Sequence, residues 1–487
     1  SGCATTRLAR WSRATGRNPR TRFCAWAGRC IVGDYLHFLA SKFRAHTPSG
    51  VDVDMSGAAH LFPFQRDIVR WALRMGRAAV FADTGLGKTR IQLEWARHIP
   101  GDVIILAPLS VAHQTAREGK EIGVNVTVCH GAEDVKPGVN ITNYERMHKF
   151  DLSRFAGFVL DESSIIKNHT SKTLAMLLEG FRNTPWRLCA TATPSPNDWT
   201  ELATHAELLG VCSRSEMLAE FFVHDMAKTQ DWRLKGHAKD VFWKWVSSWG
   251  CLIRKPSDIG YSDGGYNLPA LNVSHHVVDI GNKDAQKAGF LFAHDASTLM
   301  DRRAARVASM DGRVEQCAAL VNADPSTWVV WCEYNAEADA LKAMIPGAVE
   351  IRGSDDIDDK ESMLDAFSDG KTRVLITKPS IAGFGLNWQH VNRVAFVGVS
   401  DSWESYYQAV RRCWRFGQKN PVDVHLFASV SEASVVKNMQ RKQDSSHEMA
   451  DAMRPHVMAS IKATAGTART VNAYNPQTGM RIPGWLA

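Results

Sequence analysis

The sequence predicts an α/β protein of two tandem parallel-sheet lobes with a helical insertion between them. Three observations carry that expectation. Short apolar runs at 78–81, 103–107, 139–142, 157–160 and 187–191 alternate with helical stretches, the mark of a parallel sheet with helices on both faces. The rhythm breaks over 203–300, which is rich in helix formers and tryptophan, and resumes at 328–332, 348–351, 373–377, 393–397 and 422–427. A chain of 487 residues that is 45% hydrophobic can bury two cores, and no repeat of solenoid period competes with that reading.

Taken from the N-terminus, residues 1–34 read as a basic, poorly ordered extension, with a short amphipathic helix expected from Tyr35 to Lys42. The first fifty residues hold nine Lys and Arg against one acid, Asp34, while the whole chain is only +7, so the remaining body is close to neutral. Any groove for a polyanion must therefore come from local placement of charge. A nucleic-acid-binding arm, a transit peptide and an upstream remnant with no selected role all fit the composition of this extension. No run of eighteen apolar residues exists, so no helix is expected to span a membrane. The ten cysteines are scattered without a Cys-x-x-Cys pair, which argues against a zinc site or a disulfide framework and suits a reducing cytoplasm.

The first chemical signal follows the run Ala78–Phe81. In Ala82-Asp83-Thr84-Gly85-Leu86-Gly87-Lys88-Thr89, Gly85 and Gly87 let the backbone wrap so that its N–H groups point inward at phosphate oxygens, with Thr84 in the same turn. Lys88 supplies a point charge and the Thr89 hydroxyl a magnesium ligand. Ala82 stands where this pattern usually has glycine. The second signal is Asp161-Glu162, at the end of the apolar run Phe158–Leu160, the edge at which open α/β sheets bind ligands. Asp161 is placed to hold magnesium and Glu162 to polarise an attacking water. The third is Gln408-Ala409-Val410-Arg411-Arg412-Cys413-Trp414-Arg415-Phe416-Gly417-Gln418. Gln408, Arg412 and Arg415 fall at i, i+4 and i+7, one face of a helix, and residues 406–422 contain no carboxylate to balance them. Such a face suits a polyanion such as the γ-phosphate of a nucleotide.

These clusters, with several further segments, resemble a superfamily-two helicase core, closest to the Swi/Snf-type ATPases and to phage- or prophage-encoded DEAD/DEAH-like helicases. Leu61-Phe62-Pro63-Phe64-Gln65 with Ile68 and Trp71 resembles the Q motif, with Gln65 as adenine reader. Ala107–Val111 with His113-Gln114 resembles motif Ia, Ile141–Glu145 motif Ib, Thr191–Asn197 motif III, and Ala382–Asn387, which includes Gly385, motif V. Ile166-Lys167-Asn168 and the Phe-Gly-Gln ending of the third cluster resemble the Swi/Snf branch. Ser164 stands where the family usually has His or Asp, a weaker coupler to motif III.

The resemblance implies two RecA-like (P-loop) lobes with ATP between them and Mg2+ on Thr89 and Asp161. ATP would contact Gln65, Thr84, Gly85, Gly87, Lys88, Thr89 and Gly385. Glu162, Asp161, Gln408, Arg412 and Arg415 would serve hydrolysis. The implied boundaries are an extension over 1–34, an ATP-binding lobe over 35–202, a helical insertion over 203–300, a second lobe over 301–430, and a C-terminal helix and tail over 431–487. Residues 441–487 show little apolar periodicity before Ile482–Leu486. The tryptophans at 232, 243, 245 and 249 are expected in a helical core rather than as stacking platforms for bases. The implied partner is DNA, duplex preferred and single-stranded possible, with phage or defence-system proteins beside it. Two other classes fit parts of the pattern. A small-molecule phosphotransferase would need no second lobe with arginines, and a DNA clamp that never moves would need no intact Glu162, Arg412 and Arg415.

Overall fold

In the computed structural model the described residues are 46–108, 111–224, 232–278, 306–382, 386–398, 402–429 and 433–465. The expected extension 1–34, the helix 35–42, Gly385 and the tail beyond 465 lie outside them.

The first lobe opens with α1 (Pro63–Met75), started by Pro63 at its first position and stopped by Gly76 at φ 74°. Phe64, Ile68, Trp71, Ala72 and Met75 form its buried stripe. Then follow β1 (Arg77–Ala82), α2 (Lys88–Arg97), β2 (Val103–Ala107), α3 (Ala112–Glu121), β3 (Val126–Val128), β4 (Val139–Asn143), β5 (Gly157–Asp161), α4 (Lys172–Gly180) and β6 (Trp186–Ala190). The strands Val-Ile-Ile-Leu-Ala and Gly-Phe-Val-Leu-Asp are buried along their whole length, as strands covered by helices on both faces must be.

Residues 203–300, expected as helical, are only partly so. They give α5 (Leu202–Leu209), α6 (Arg214–Phe221), the antiparallel pair β7 (Phe222–His224) and β8 (Trp232–Leu234), α7 (Lys239–Val246), and then β9 (Gly250–Ile253). β9 adds to the first sheet beside β1, giving the order β3-β4-β2-β5-β6-β1-β9 with every pairing parallel. Trp243, Trp245 and Trp249 are buried, and Trp249 packs edge-on against Phe81 of β1 at 6.2 Å, so these rings are core. The next strand, β10 (Leu271–Val278), belongs to the second sheet.

The second lobe continues with α8 (Met310–Ala323), β11 (Trp328–Cys332), α9 (Asn335–Met344), β12 (Val349–Glu350), α10 (Ile357–Ser368), β13 (Val374–Thr377), α11 (Pro379–Ala382), β14 (Arg393–Val397), α12 (Trp403–Val410) and β15 (Val422–Ser429). Its six strands run in the order β10-β15-β14-β11-β13-β12, again all parallel. One core, around Trp331, Trp388 and Phe396, fills one face, and a second, around Val330, Leu341 and Ile376, fills the other. The architecture is α/β with two tandem RecA-like lobes.

From β15 the chain passes into α13 (Ala433–Ala465), which returns across the first lobe and packs on α1, α7 and β9. Over its second half Met449, Ala450, Met453, Val457, Ile461 and Thr464 are buried, three and four residues apart along one face, although residues 441–487 read as nearly aperiodic in sequence. The stripe is faint because alanine, threonine and methionine make up most of it. Arg454 pairs with Asp258 at 3.0 Å, and Trp71 Nε1 donates to Ser460 Oγ at 3.0 Å.

Candidate active site

The site lies at the carboxyl ends of β1, β5 and β6. Because β6 sits between β1 and β5, the loops after β1 and β5 are two strands, roughly 10 Å, apart, with Thr191 between them.

After β1 the loop turns at Gly85 (φ 92°) and Gly87 (φ 77°), both left-handed, and runs into the N-terminus of α2. A side chain at 87 would come within 2.3 Å of Gln65 Nε2, and one at 85 within 3.1 Å of the Phe416 backbone nitrogen, so both positions are closed to larger residues. Ala82 is the last residue of β1 and does not have positive φ, so the missing glycine costs nothing there. Lys88 Nζ reaches back to donate to Ala82 O at 3.1 Å. The first-turn N–H groups of α2, those of Lys88 and Thr89 among them, have no intrahelical acceptor and form an anion-binding end. Gln65 is buried beneath the loop, where Nε2 donates to Leu86 O at 2.9 Å and Oε1 accepts from Phe62 N at 3.0 Å. In this arrangement it props the loop.

At the end of β5, Asp161 Oδ1 accepts from Gln92 Nε2 at 2.6 Å, and its main-chain oxygen accepts from Tyr144 Oη at 2.7 Å. Burial, then the neighbouring Glu162 charge, pushes the Asp161 carboxyl up to about 6, opposed by Gln92 and Lys88. Two crowded carboxylates with a lysine nearby are a donor set that a divalent cation relieves, with the Thr89 hydroxyl as a further oxygen, so the residues fit Mg2+. Glu162 has φ 52° and ψ 54° and is the sole non-glycine residue with positive φ among the described residues. Strain of this kind persists where surrounding contacts hold it. Behind the pair, Ser163 Oγ bonds His205 Nε2 at 3.0 Å, and burial lowers that imidazole to about 4. Thr191 Oγ1 donates to Glu162 Oε2 at 3.2 Å, so the acid pair meets motif III directly, without using Ser164.

The second lobe contributes α12 and the turn after it. The helix stops at Val410, and the N–H groups of Arg412 and Cys413 donate to Ala409 O and Val410 O in tighter i→i+3 bonds, so Arg412 and Arg415 lie beyond the helix rather than on one helical face with Gln408 as their spacing predicts. Arg411, itself buried, reaches the first lobe: it pairs with Asp83 Oδ2 at 3.2 Å, donates to Thr84 O, and lies over the Tyr407 and Trp414 rings. Tyr407 Oη also donates to Asp83. Arg412 donates to Gln408 O at 3.0 Å and Leu386 O at 3.2 Å, and Arg415 donates to Leu386 O at 3.1 Å.

Among the described residues neither Arg412 nor Arg415 has an ion-pair partner. Burial lowers Arg412 to about 10, offset in part by Glu162 and Asp161, and burial with repulsion from Arg412 and Arg411 lowers Arg415 to about 9. Arg415 Nε is buried without a hydrogen-bond partner, as are both carboxamide atoms of Gln408, a side chain only 1% exposed. Buried cations without an ion-pair partner and an orphaned amide beside them fit a polyanionic ligand such as ATP.

Sequence reasoning missed Gln92, Asp83, Tyr407 and Arg411. Gln92 was findable, since it sits one turn after Lys88 on a helix otherwise apolar toward the sheet. The pairing of Asp83 with Arg411 joins residues on different lobes and leaves no local trace. A cleft of about 640 Å³ opens between the lobes beside this site, lined by Pro108, Asn143, Arg146, Glu162, Lys167 and Lys360 among others, so segments of motifs Ia and Ib share a wall with the acid pair.

Residues 312–417, from α8 to the glycine that ends the arginine cluster, match the helicase conserved C-terminal domain. That stretch lies in the second lobe, and the match supports a superfamily-two helicase-type core. No curated protein matches the chain.

Proposed function

We propose that the protein is an ATP-dependent DNA motor, a helicase or duplex-DNA translocase, that hydrolyses ATP between its two lobes. The observation that carries this is the buried Gln408, Arg412 and Arg415 set, in which neither arginine has an ion-pair partner among the described residues and Arg412 lies within the field of Glu162 and Asp161 of the first lobe. Gly85, Gly87, Lys88 and the N-terminus of α2 bind the phosphates, and Asp161 with Thr89 holds Mg2+, which neutralises charge on the phosphate oxygens. Glu162 orients and polarises the water, and Arg412 and Arg415 stabilise charge developing on the γ-phosphate. Arginine fingers of this kind are worth about 10³–10⁵ in rate, so turnover stays slow until the lobes close. Motifs Ia and Ib on the interlobe cleft supply contacts to a phosphate backbone, which makes affinity strongly salt-dependent and weakly sequence-dependent. The Ile166-Lys167-Asn168 continuation and the Phe-Gly-Gln ending support a Swi/Snf-like preference for duplex DNA.

The test is ATP hydrolysis measured in parallel with no nucleic acid, single-stranded DNA, duplex DNA and RNA. Duplex DNA should stimulate at least as well as single strands, with RNA poorest. Arg412→Ala and Arg415→Ala should each cut stimulated turnover with little change in ATP affinity. Weakened DNA binding with intact turnover per bound complex would make that arginine a backbone contact instead.

A further inference from the structure

Glu404 lies in the first turn of α12, is only 7% exposed, and takes its described side-chain partners from the other lobe. Thr193 Oγ1 donates to its Oε1 at 3.1 Å, and Lys167 Nζ pairs with its Oε2. Both partners hang from the acid pair, by different routes. Lys167 closes the short turn Ser163–Ile166 that starts on Glu162, so its place follows the left-handed backbone of that residue. Thr193 follows through hydrogen bonds: its N–H donates to Thr191 Oγ1 at 3.1 Å, and that hydroxyl donates to Glu162 Oε2 at 3.2 Å. On its own helix Glu404 sits one turn before Gln408, and Arg411 and Arg412 follow directly on the end of that helix.

A carboxylate that served only to hold the lobes together would need no route to the acid pair. The pairs Lys239 with Glu448 and Arg254 with Asp451, which only tie α13 to the first lobe, end on half-exposed side chains with no such route. We infer that Glu404 is a positioning residue that couples the state of the acid pair to the placement of the guanidinium groups that follow α12. This rests on the ATP-motor reading above. A change in the Glu162 side chain reaches Glu404 through Thr191 and Thr193, and a change in its backbone reaches it through Lys167. Both are relayed down α12 as a rigid-body shift.

The test compares the parent, Glu404→Gln, Thr193→Val and the double variant, each full-length, for ATP affinity and for hydrolysis with and without duplex DNA. Glutamine keeps the shape and an acceptor for Thr193 but loses the charge that holds Lys167. Affinity and unstimulated turnover should stay within about twofold of the parent. Stimulated turnover should fall by about 5–150-fold, the usual span of a coupling between sites. Glu404→Gln cuts the arm through Lys167 and Thr193→Val the arm through Thr191, so the double variant should fall further than either single. Parent-level stimulation in Glu404→Gln overturns the inference. So does a double variant no worse than the worse single, or an equal loss of stimulated and unstimulated turnover. A parent protein that no nucleic acid stimulates sinks the motor reading and this inference with it, so the two failures are told apart.

Discussion

Replacing Glu162 by alanine and, separately, by glycine should invert the usual ranking of those two residues. At an ordinary position glycine is the less stable by about 0.5–1 kcal/mol, because it loses more backbone freedom on folding. Glu162 is held at φ 52°, ψ 54°, where a side chain costs about 1–2 kcal/mol that glycine does not incur. Both variants lose the bond from Thr191 and the repulsion on Asp161 equally, so those effects cancel in the comparison. Strain relief less the entropic cost leaves Glu162→Gly more stable than Glu162→Ala by about 0.5–1 kcal/mol. At about 2–4 °C per kcal/mol for a domain of this size, the two should melt about 1–4 °C apart by calorimetry or circular dichroism. Both should also lose about 10²–10⁴ in stimulated ATP turnover, the span of a positioned acid–base group. An alanine variant more stable than the glycine one would show that the strain is absent. Parent-level turnover in either would show that the acid pair has been misassigned.

His205 gives a pH signature. Its folded value is lowered from 6.5 to about 4, so the unfolded chain takes up a proton that the fold refuses. The resulting stability, up to ~3 kcal/mol, is fully present above about pH 6.5 and lost as pH falls toward 4; denaturant midpoints across that range should show it, and His205→Gln should flatten the slope. Asp83→Asn keeps the oxygen that accepts from Thr84 N but removes the charge facing Arg411. In a cycle with Arg411→Met, ATP affinity should show a coupling of about 1–3 kcal/mol, and additive effects would mean the pair does not couple the lobes. In the second lobe, the fully buried pair Arg313 and Glu337 lies at 2.9 Å, so Glu337→Ala should destabilise that lobe by about 3–5 kcal/mol in urea unfolding, while Arg313→Met with Glu337→Leu should recover most of it.

Most of the fold was legible because its signals are local. Strands buried on both faces write continuous apolar runs, and the runs expected at 103–107, 157–160, 328–332 and 393–397 coincide with β2, β5, β11 and β14 to within a residue. β3 is three half-buried residues, too short to announce itself. β9 and β10 lay inside a stretch dominated by tryptophan and helix formers, and β10 is an edge strand whose residues are mostly exposed, so no apolar run marks it.

The sequence by itself determined the chemistry at each strand end: the two glycines, Lys88, the acid pair and the arginine cluster each state their requirement within a few residues. What it could not determine is which of those groups meet. The tertiary structure decided that α12 stops at Val410, that Arg411 crosses to Asp83 on the phosphate-binding turn, that Gln92 holds Asp161, and that Thr191, Thr193 and Glu404 join the acid pair to the other lobe. The reason is range. A turn or a strand is fixed by neighbours along the chain, whereas a contact between residues 83 and 411 exists only after two sheets have closed on each other, and its energy is written in their packing rather than in either segment.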